Sequence, residues 1–202
     1  FSLFLVVASI SYSAPVFQAG TGDNSTEAGV DNTASGVNSS AFGFDNTASG
    51  QMSSAFGVDN TASGKYSSAF GNGNTASGQF SSVFGVENKA SGVNSSAFGY
   101  RNIVGKLKDD GSGHLIPDEN FGEKSLALGT EYEVTGNFSG AFGVGSSSVI
   151  NEGNNSYMIG NENKIASGSD DNFILGNNVE IAAGIQKSVV LGDGSASGGS
   201  NT

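Results

Sequence analysis

The sequence predicts an all-β protein: a single-stranded parallel β-solenoid, or β-roll, built from 14-residue coils. The first observation is an internal repeat, because five 14-residue units follow one another without insertion from Asn32 to Arg101, beginning with NTASGVNSSAFGFD. The second is that each unit is a doubled heptad with a glycine in each half, from Gly36 to Gly99. The third is a composition of 32 Gly, 33 Ser and 21 Asn, residue types that favour turns over helices.

The glycine heptads indicate two short strands and two turns in each unit. A coiled coil is excluded, because it needs Leu or Ile at two positions of every heptad and helix-forming residues between them. Each heptad instead fits a strand of about four residues followed by a turn at glycine or asparagine, which tolerate positive φ angles. One unit then forms one coil that advances by about 4.8 Å, so ten to eleven coils predict a rod roughly 50 Å long.

Stacking the coils in register places identical side chains above one another. Alanines from residue 34 to residue 90 form one column, and asparagines from 32 to 102 form another that is expected to hydrogen-bond along the stack. A phenylalanine column is predicted as a core or assembly ladder: Phe42, Phe56, Phe70, Phe84, Phe98 and Phe142. Leu128, Ile159, Leu175 and Leu191 take the same position in the other coils. Strand residues alternate in direction, so Ala41 and Phe42 must face opposite ways. If phenylalanine faces outward, the exposed stripe indicates an oligomer.

Residues 1–20 form an apolar N-terminal segment, which precedes the solenoid at 21–198 and a short tail at 199–202. The stretch FSLFLVVASISYSA is shorter than the roughly 20 residues that a membrane-spanning helix needs, and it fits the apolar core of a secretory signal. Alternatively it is a retained strand that joins a neighbouring subunit by strand addition, with Phe1, Leu3, Leu5 and Val7 as its alternating side chains. A third interpretation follows from FSLFLV, which resembles the start of a processed type IV pilin. All three place the protein outside the cytoplasm.

The repeat is interrupted by an inserted loop at 103–124, IVGKLKDDGSGHLIPDENFGEK. Within it, KLKDDGSGHLI predicts a hairpin with its turn at DDGSG. Protruding loops on a rigid scaffold often carry recognition, which makes this the candidate contact loop. Its candidate contact residues are Lys106, Lys108, Asp109, Asp110 and His114. The alternative is a tolerated insertion without a ligand, in which His114 is a solvated side chain rather than a metal ligand.

Composition excludes several classes of function. A net charge of −11 argues against nucleic acid, because phosphate binding needs clustered Lys and Arg. With no Cys and a single His, the chain has no thiolate zinc site, no cysteine nucleophile and no plausible base for a serine hydrolase. We predict no enzyme, no catalytic residue and no cofactor.

Two further columns are polar. Stacked carboxylates at Asp31, Asp45, Asp59 and Glu87 repel one another, and bound Ca²⁺ would offset that repulsion. The nine-residue calcium repeat is absent, so we predict a solvated acidic edge, with calcium as the alternative. A threonine column suggests, as a distant alternative, binding to ice or a crystalline surface: Thr33, Thr47, Thr61 and Thr75.

The unit NTASGxxSSAFGxx, with the later NNSYMIGNENKIASG and KSVVLGDGSASGG, resembles the YadA-like (Hep/Hag) head repeats of trimeric autotransporter adhesins. The resemblance covers residues 24–198 apart from the insertion. It implies a left-handed parallel β-roll, three chains packed side by side, and a head that binds matrix proteins or other surfaces. No neck, stalk or anchor of that family follows Ser200, so we expect a fragment or a stand-alone use of the repeat.

The sequence therefore predicts a non-enzymatic extracellular module, the head-type β-roll of a cell-surface adhesin or surface fibre, acting as a homo-oligomer. The alternative is a head-to-tail extracellular filament joined through the apolar N-terminal strand. Solenoid ends expose unpaired strand edges, and the sequence shows no obvious cap at either end, which favours axial assembly. Nucleic-acid partners and a membrane span are not expected.

Overall fold

The structure, a computed structural model, describes residues 17–146 and 149–194. This part of the chain consists of strands and turns without a helix, which confirms the predicted all-β class. Phe1, Leu3, Leu5 and Val7 lie outside the described residues. The strands are β1 (Gln18–Ala19), β2 (Thr26–Val30), β3 (Thr33–Ala34), β4 (Ser40–Phe44), β5 (Thr47–Ala48), β6 (Ser54–Val58), β7 (Thr61–Ala62), β8 (Ser68–Asn72), β9 (Thr75–Ala76), β10 (Ser82–Val86), β11 (Lys89–Ala90), β12 (Ser96–Tyr100), β13 (Ile103–Val104), β14 (Lys106–Asp109), β15 (Leu115–Asp118), β16 (Leu126–Thr130), β17 (Glu133–Val134), β18 (Gly140–Val144), β19 (Ile150–Asn151), β20 (Tyr157–Ile159), β21 (Lys164–Ile165), β22 (Phe173–Asn177), β23 (Glu180–Ile181) and β24 (Val189–Asp193).

The coils stack into two parallel sheets. Sheet A contains β1 followed by the long strands from β2 to β24, and sheet B contains the short strands from β3 to β23. Phe42 pairs with Phe56, and Ala48 pairs with Ala62, so identical residues lie above one another as predicted. The step lengthens to 17 residues between Phe142 and Ile159, and later coils advance by 16. The parallel β-solenoid is therefore confirmed.

The two strands of a coil differ in length, whereas the sequence predicts about four residues for each. Long strands such as β4 have five residues, and short strands such as β5 have two. The short strand ends early because Ser49 and Gly50 both donate their N–H groups to the carbonyl of Ala62, which starts the turn.

The core of the 14-residue coils is lined mainly by alanine methyl groups, with Val83 at the same inward position of one coil. Ala41, Ala48, Ala55 and Ala62 are fully buried between the sheets, whereas the 16-residue coils enclose larger side chains such as Ile174. This narrow interior answers the question that the sequence leaves open: alanine faces inward, and the phenylalanine column faces outward.

Glycine permits the close approach of successive coils. A Cβ atom at Gly50 would lie 2.1 Å from the carbonyl oxygen of Gly64. At Gly57 a Cβ would lie 2.0 Å from the oxygen of Gly71, and the φ angle of 122° is one that L residues rarely adopt. The two glycines of each unit are therefore fixed by contact between coils as well as by the turn.

The asparagine column forms a buried ladder. Asn60 donates from Nδ2 to Asn46 Oδ1 at 3.0 Å, and its own Oδ1 accepts from Asn74 Nδ2 at 3.0 Å. The ladder changes at Tyr132, which takes the asparagine position of its coil. The Tyr132 backbone N–H donates to Asn102 Oδ1 at 3.1 Å. Satisfying these amides in a buried column fixes the register of each coil on the next.

Left-handed backbone conformations also occur outside glycine. Asp45 and Asp59 have φ angles of 55° and 56°, and Met52, Tyr66 and Phe80 have φ angles of 55°, 60° and 58°. Asp and Asn adopt this region more readily than most residues, so corner geometry accounts for much of the acidic column. For the bulky residues the conformation costs about 1–2 kcal/mol each.

The N-terminal end of the solenoid is capped, contrary to the expectation of uncapped ends. β1 pairs antiparallel with β2, which covers the first edge of sheet A. Glu27 occupies the inward position that Ala41 takes in the next coil, and its Oε1 accepts the N–H of Ala34 at 2.7 Å. Among the described residues β3 is the edge strand of sheet B, and the buried Glu27 carboxylate accepts the N–H that a preceding strand would otherwise pair.

Candidate functional site

An apolar ridge runs along the outward face of sheet A. We call it the outer stripe, and it consists of Phe42, Phe56, Phe70, Phe84, Phe98, Leu128, Phe142, Ile159, Leu175 and Leu191, paired in that order. Its first five rings stack with centroids 4.8–5.1 Å apart and planes within 13° of parallel. Phe84 remains 39% exposed and Leu175 48% exposed. Among the described residues Phe17 packs edge-on against Phe42, and the stripe is otherwise an ordered, partly exposed hydrophobic surface.

A second apolar column lies two residues further along the same strands. It contains Phe44, Val58, Val86, Tyr100 and Val144, all of them exposed, and is interrupted by the polar residues Asn72 and Thr130. Because i and i+2 face the same side of a strand, the two columns form one surface. Contiguous apolar patches of this extent mark interaction sites on soluble proteins.

The coils that carry the first half of this surface match a known family. The family model for the YadA head domain repeat (2 copies) matches residues 21–46, 48–74 and 76–102. These three segments are similar to the YadA head domain repeat. Each match covers about two 14-residue coils. Since the family model describes two copies of the repeat, one copy corresponds to one coil. No curated protein matches the chain.

The match confirms the resemblance that the repeat motif suggests. YadA head repeats belong to a structural adhesin domain family rather than to an enzyme family. Heads of this type form trimers and bind surface ligands. The matched segments end at residue 102, so the hairpin and the later coils lie outside them.

The inserted loop is an antiparallel hairpin, β14 and β15, in which Lys106 pairs with Asp118 and Asp109 with Leu115. Ile103 and Val104 belong to β13 within sheet B. Gly122 lies against Gly92 as the corresponding glycine of the next coil. The predicted boundaries of 103–124 are therefore too wide, because the regular coil continues to Val104 and resumes at Gly122.

The five candidate contact residues are engaged mainly within the hairpin. Lys108 forms an ion pair with Asp118 at 3.6 Å, and Asp109 Oδ1 accepts the N–H groups of Gly111 and Gly113. Lys106 reaches Glu152 at 3.7 Å and lies over the Phe121 ring.

Asp110 and His114 lie at the tip of the hairpin. Hydrogen bonds from the Ser112 hydroxyl and amide lower the pKa of the Asp110 carboxyl. His114 Nδ1 lies 3.4 Å from Asp110 Oδ2, and its side chain is 74% exposed. These contacts stabilise the hairpin tip and leave the imidazole in solvent.

A groove that the sequence does not predict lies beside the hairpin. It consists of two adjoining cavities of about 530 and 330 Å³, which share Lys89, Ile103 and Glu133 on sheet B. One cavity extends to Arg101 and Tyr132, and the other extends to Thr75 and Leu107. The sequence feature that could have indicated this groove is the end of the threonine column, where Lys89 and Ile103 take the place of threonine.

The charges around the groove are unevenly paired. Arg101 lies between Glu87 at 2.5 Å and Glu131 at 3.8 Å, and the hydrogen bond to Glu87 raises the pKa of the guanidinium. Lys89 and Glu133 form no ion pair with any described residue. They flank Ile103 in register and supply one unpaired charge of each sign.

Tyr132 closes one wall of the groove, donating its hydroxyl proton to the carbonyl of Gly160. Burial raises the pKa of this tyrosine to about 12.

Two features are absent from residues 17–146 and 149–194. No three His, Asp or Glu side chains in these ranges come together as candidate metal ligands. The same ranges contain no helix with the length and apolar character needed to cross a membrane.

Proposed function

We propose that the chain is a non-enzymatic extracellular module, the head-type β-roll of a cell-surface adhesin, in which three chains pack side by side through the outer stripe. The observation that carries this proposal is the continuity of the stripe: every coil of sheet A from β4 to β24 contributes one aromatic or aliphatic side chain to it. Adhesion then arises from the faces that remain free, with matrix proteins or other surfaces as ligands.

The geometry favours a second and a third copy of the same chain as the cover of the stripe. A ridge with one rung per coil has the same axial period in every copy, so chains aligned side by side meet rung to rung. Cyclic symmetry places the same patch of each subunit at the common axis. Removing these side chains from water provides about 25 cal/mol for each Å² buried.

The head-to-tail filament is the alternative assembly. At the N-terminal end, β1 already pairs with β2, and the Glu27 carboxylate already accepts the N–H of Ala34. A second chain stacked on this end would have to displace both contacts. This observation supports lateral packing over axial stacking at that end.

Light scattering of the full chain tests the proposal. We expect a trimer for the unmodified chain and a monomer with unchanged β-sheet circular dichroism for the triple variant Phe56→Ser, Phe70→Ser, Phe84→Ser. The matched control is Tyr66→Ser with Phe80→Ser, which removes a stacked aromatic pair at a corner outside the stripe and should leave the trimer intact. A monomeric unmodified chain, or a trimer that survives the triple substitution, contradicts lateral packing. Polymers that disappear when residues 1–20 are removed would support the filament instead.

A further inference from the structure

We propose that the groove beside the hairpin binds an extended peptide segment of a partner protein, which adds as a strand to the free edge of β14. The site is separate from the outer stripe. It depends on the hairpin, which lies outside the segments that match the YadA head repeat.

The backbone of β14 supplies the first part of the site. Leu107 pairs with Pro117, and proline has no N–H to donate. Hydrogen-bonded and non-hydrogen-bonded pairs alternate in an antiparallel ladder, so Leu107 and Pro117 form a non-hydrogen-bonded pair. The N–H and C=O of Leu107 consequently point away from β15.

This outer edge of β14 is unpaired within the described part of the chain, where the hairpin is a sheet of two strands. Leu107 lines the groove, which places the edge at its border. An exposed edge of this kind accepts an extended peptide through main-chain hydrogen bonds.

The floor of the groove supplies specificity. Lys89, Ile103 and Glu133 are neighbours on adjacent strands, so the two charges lie roughly 10 Å apart with an apolar side chain between them. Neither charge has an ionic partner among the described residues, unlike Arg101 nearby. The complementary ligand carries an acidic and a basic side chain on one face of its strand, with small apolar or threonine side chains around them.

The hairpin is held in place before a ligand arrives. The Ser91 hydroxyl donates to the carbonyl of Lys106 at 3.1 Å, and the Lys106 ammonium bridges to Glu152 and covers the Phe121 ring at 4.7 Å. A fixed edge lowers the entropic cost of strand addition.

The groove lies on the face of the solenoid opposite the outer stripe. The inference rests on the proposed function for one point only, that sheet A rather than sheet B faces the partner chains. Sheet B then remains open in the trimer.

The test uses the full chain and three fluorescein-labelled eight-residue peptides in fluorescence anisotropy. Each peptide alternates threonine and valine except for two charged residues on one face, which are Glu and Lys, Glu and Glu, or Lys and Lys. We expect the unmodified chain to bind the Glu/Lys peptide about tenfold more tightly than the other two, because only this peptide pairs both groove charges.

Glu133→Lys should switch the preference to the Glu/Glu peptide, since the groove then carries two cations. The matched control is Glu180→Lys on the same outward face of sheet B, where Glu180 pairs with Lys164, and it should retain the Glu/Lys preference. Leu107→Pro removes the outward N–H from a position whose N–H does not bond to β15, and it should abolish binding of all three peptides.

Three results would overturn the inference: no peptide binds, the unmodified chain shows no charge preference, or Glu133→Lys binds the peptides as the unmodified chain does. A drop in assembly mass with Leu107→Pro would also overturn it, because the occupant would then be a second copy of this chain. The triple variant Phe56→Ser, Phe70→Ser, Phe84→Ser tests only trimer formation. If it still binds the Glu/Lys peptide, the peptide groove stands independently of the proposed trimer.

Discussion

Replacing Asn60 with alanine removes one rung of the buried asparagine ladder. Its Nδ2 donates to Asn46 Oδ1 at 3.0 Å, to the carbonyl of Phe56 at 3.0 Å and to that of Gly71 at 2.8 Å. Its Oδ1 accepts from the backbone N–H of Asn74 at 3.1 Å and from its Nδ2 at 3.0 Å. The substitution therefore leaves polar groups in three neighbouring coils without one of their partners.

The expected loss of stability is large for a single substitution. A buried polar group that loses its partner costs about 1–3 kcal/mol, and some of these groups keep a second hydrogen bond. We expect Asn60→Ala to lower the free energy of unfolding by about 3–5 kcal/mol, near the upper end for point substitutions.

The assay is guanidinium unfolding of the full chain at a fixed protein concentration, followed by circular dichroism. The control is Ser53→Ala, because Ser53 is also fully buried but its hydroxyl has no hydrogen-bond partner among the described residues. Ser53→Ala should change the free energy of unfolding by less than about 1 kcal/mol. If Asn60→Ala costs no more than Ser53→Ala, the ladder does not hold the coils together.

Three further predictions use the same unfolding assay or a titration. Gly57→Ala should cost more than about 3 kcal/mol because its Cβ would lie 2.0 Å from a backbone oxygen of the next coil, whereas Gly73→Asn, at an open corner with a φ of 65°, should be neutral within about 0.5 kcal/mol. The raised pKa of Tyr132, about 12 against an ordinary 10.0, means that its stabilising contribution is complete below pH 10.0 and is lost as the pH rises toward 12; Tyr132→Phe should lack this alkaline loss. The pKa of Asp110 is lowered, so the ionised carboxylate stabilises the hairpin tip above its ordinary pKa of 3.8, and this stabilisation is lost as the pH falls through the folded pKa. Ser112→Ala should raise the pKa of Asp110 in a carboxyl NMR titration. An unshifted Asp110 titration in Ser112→Ala, or an alkaline loss retained in Tyr132→Phe, would refute the respective assignment.

The columns were predictable because identical 14-residue units stacked in one direction leave a single register. Phe42 over Phe56 and Ala48 over Ala62 follow from the repeat alone. The direction of the phenylalanine column was not predictable in the same way. Alternation along a strand shows only that Ala41 and Phe42 face opposite sides, and the deciding factor is a narrow coil interior, which holds alanine in most 14-residue coils and nothing larger than Val83 at that position.

The corners and the groove show where the sequence pattern stops being informative. Met52 and Phe80 adopt left-handed backbone conformations that their residue types disfavour, because corner geometry is imposed by the coils above and below. The groove combines Lys89, Ile103 and Glu133 from three coils with the inserted hairpin, and these residues become neighbours only after the coils stack. The N-terminal cap is similar, since Glu27 looks like an ordinary surface acid until its position is aligned with Ala41.

The most direct test of lateral packing is the distance between chains at one position of the outward face. The chain contains no Cys, so a single nitroxide at Val58→Cys reports that position alone by pulsed electron paramagnetic resonance. If the outer stripe is the trimer interface, the labels at position 58 of neighbouring chains should lie less than about 25 Å apart. Labels at Thr61→Cys, on the outward face of sheet B, should lie farther apart, since packed sheets are separated by about 10 Å. A Val58 distance near the rod length of about 50 Å, or one longer than that at Thr61, would contradict lateral packing through the outer stripe.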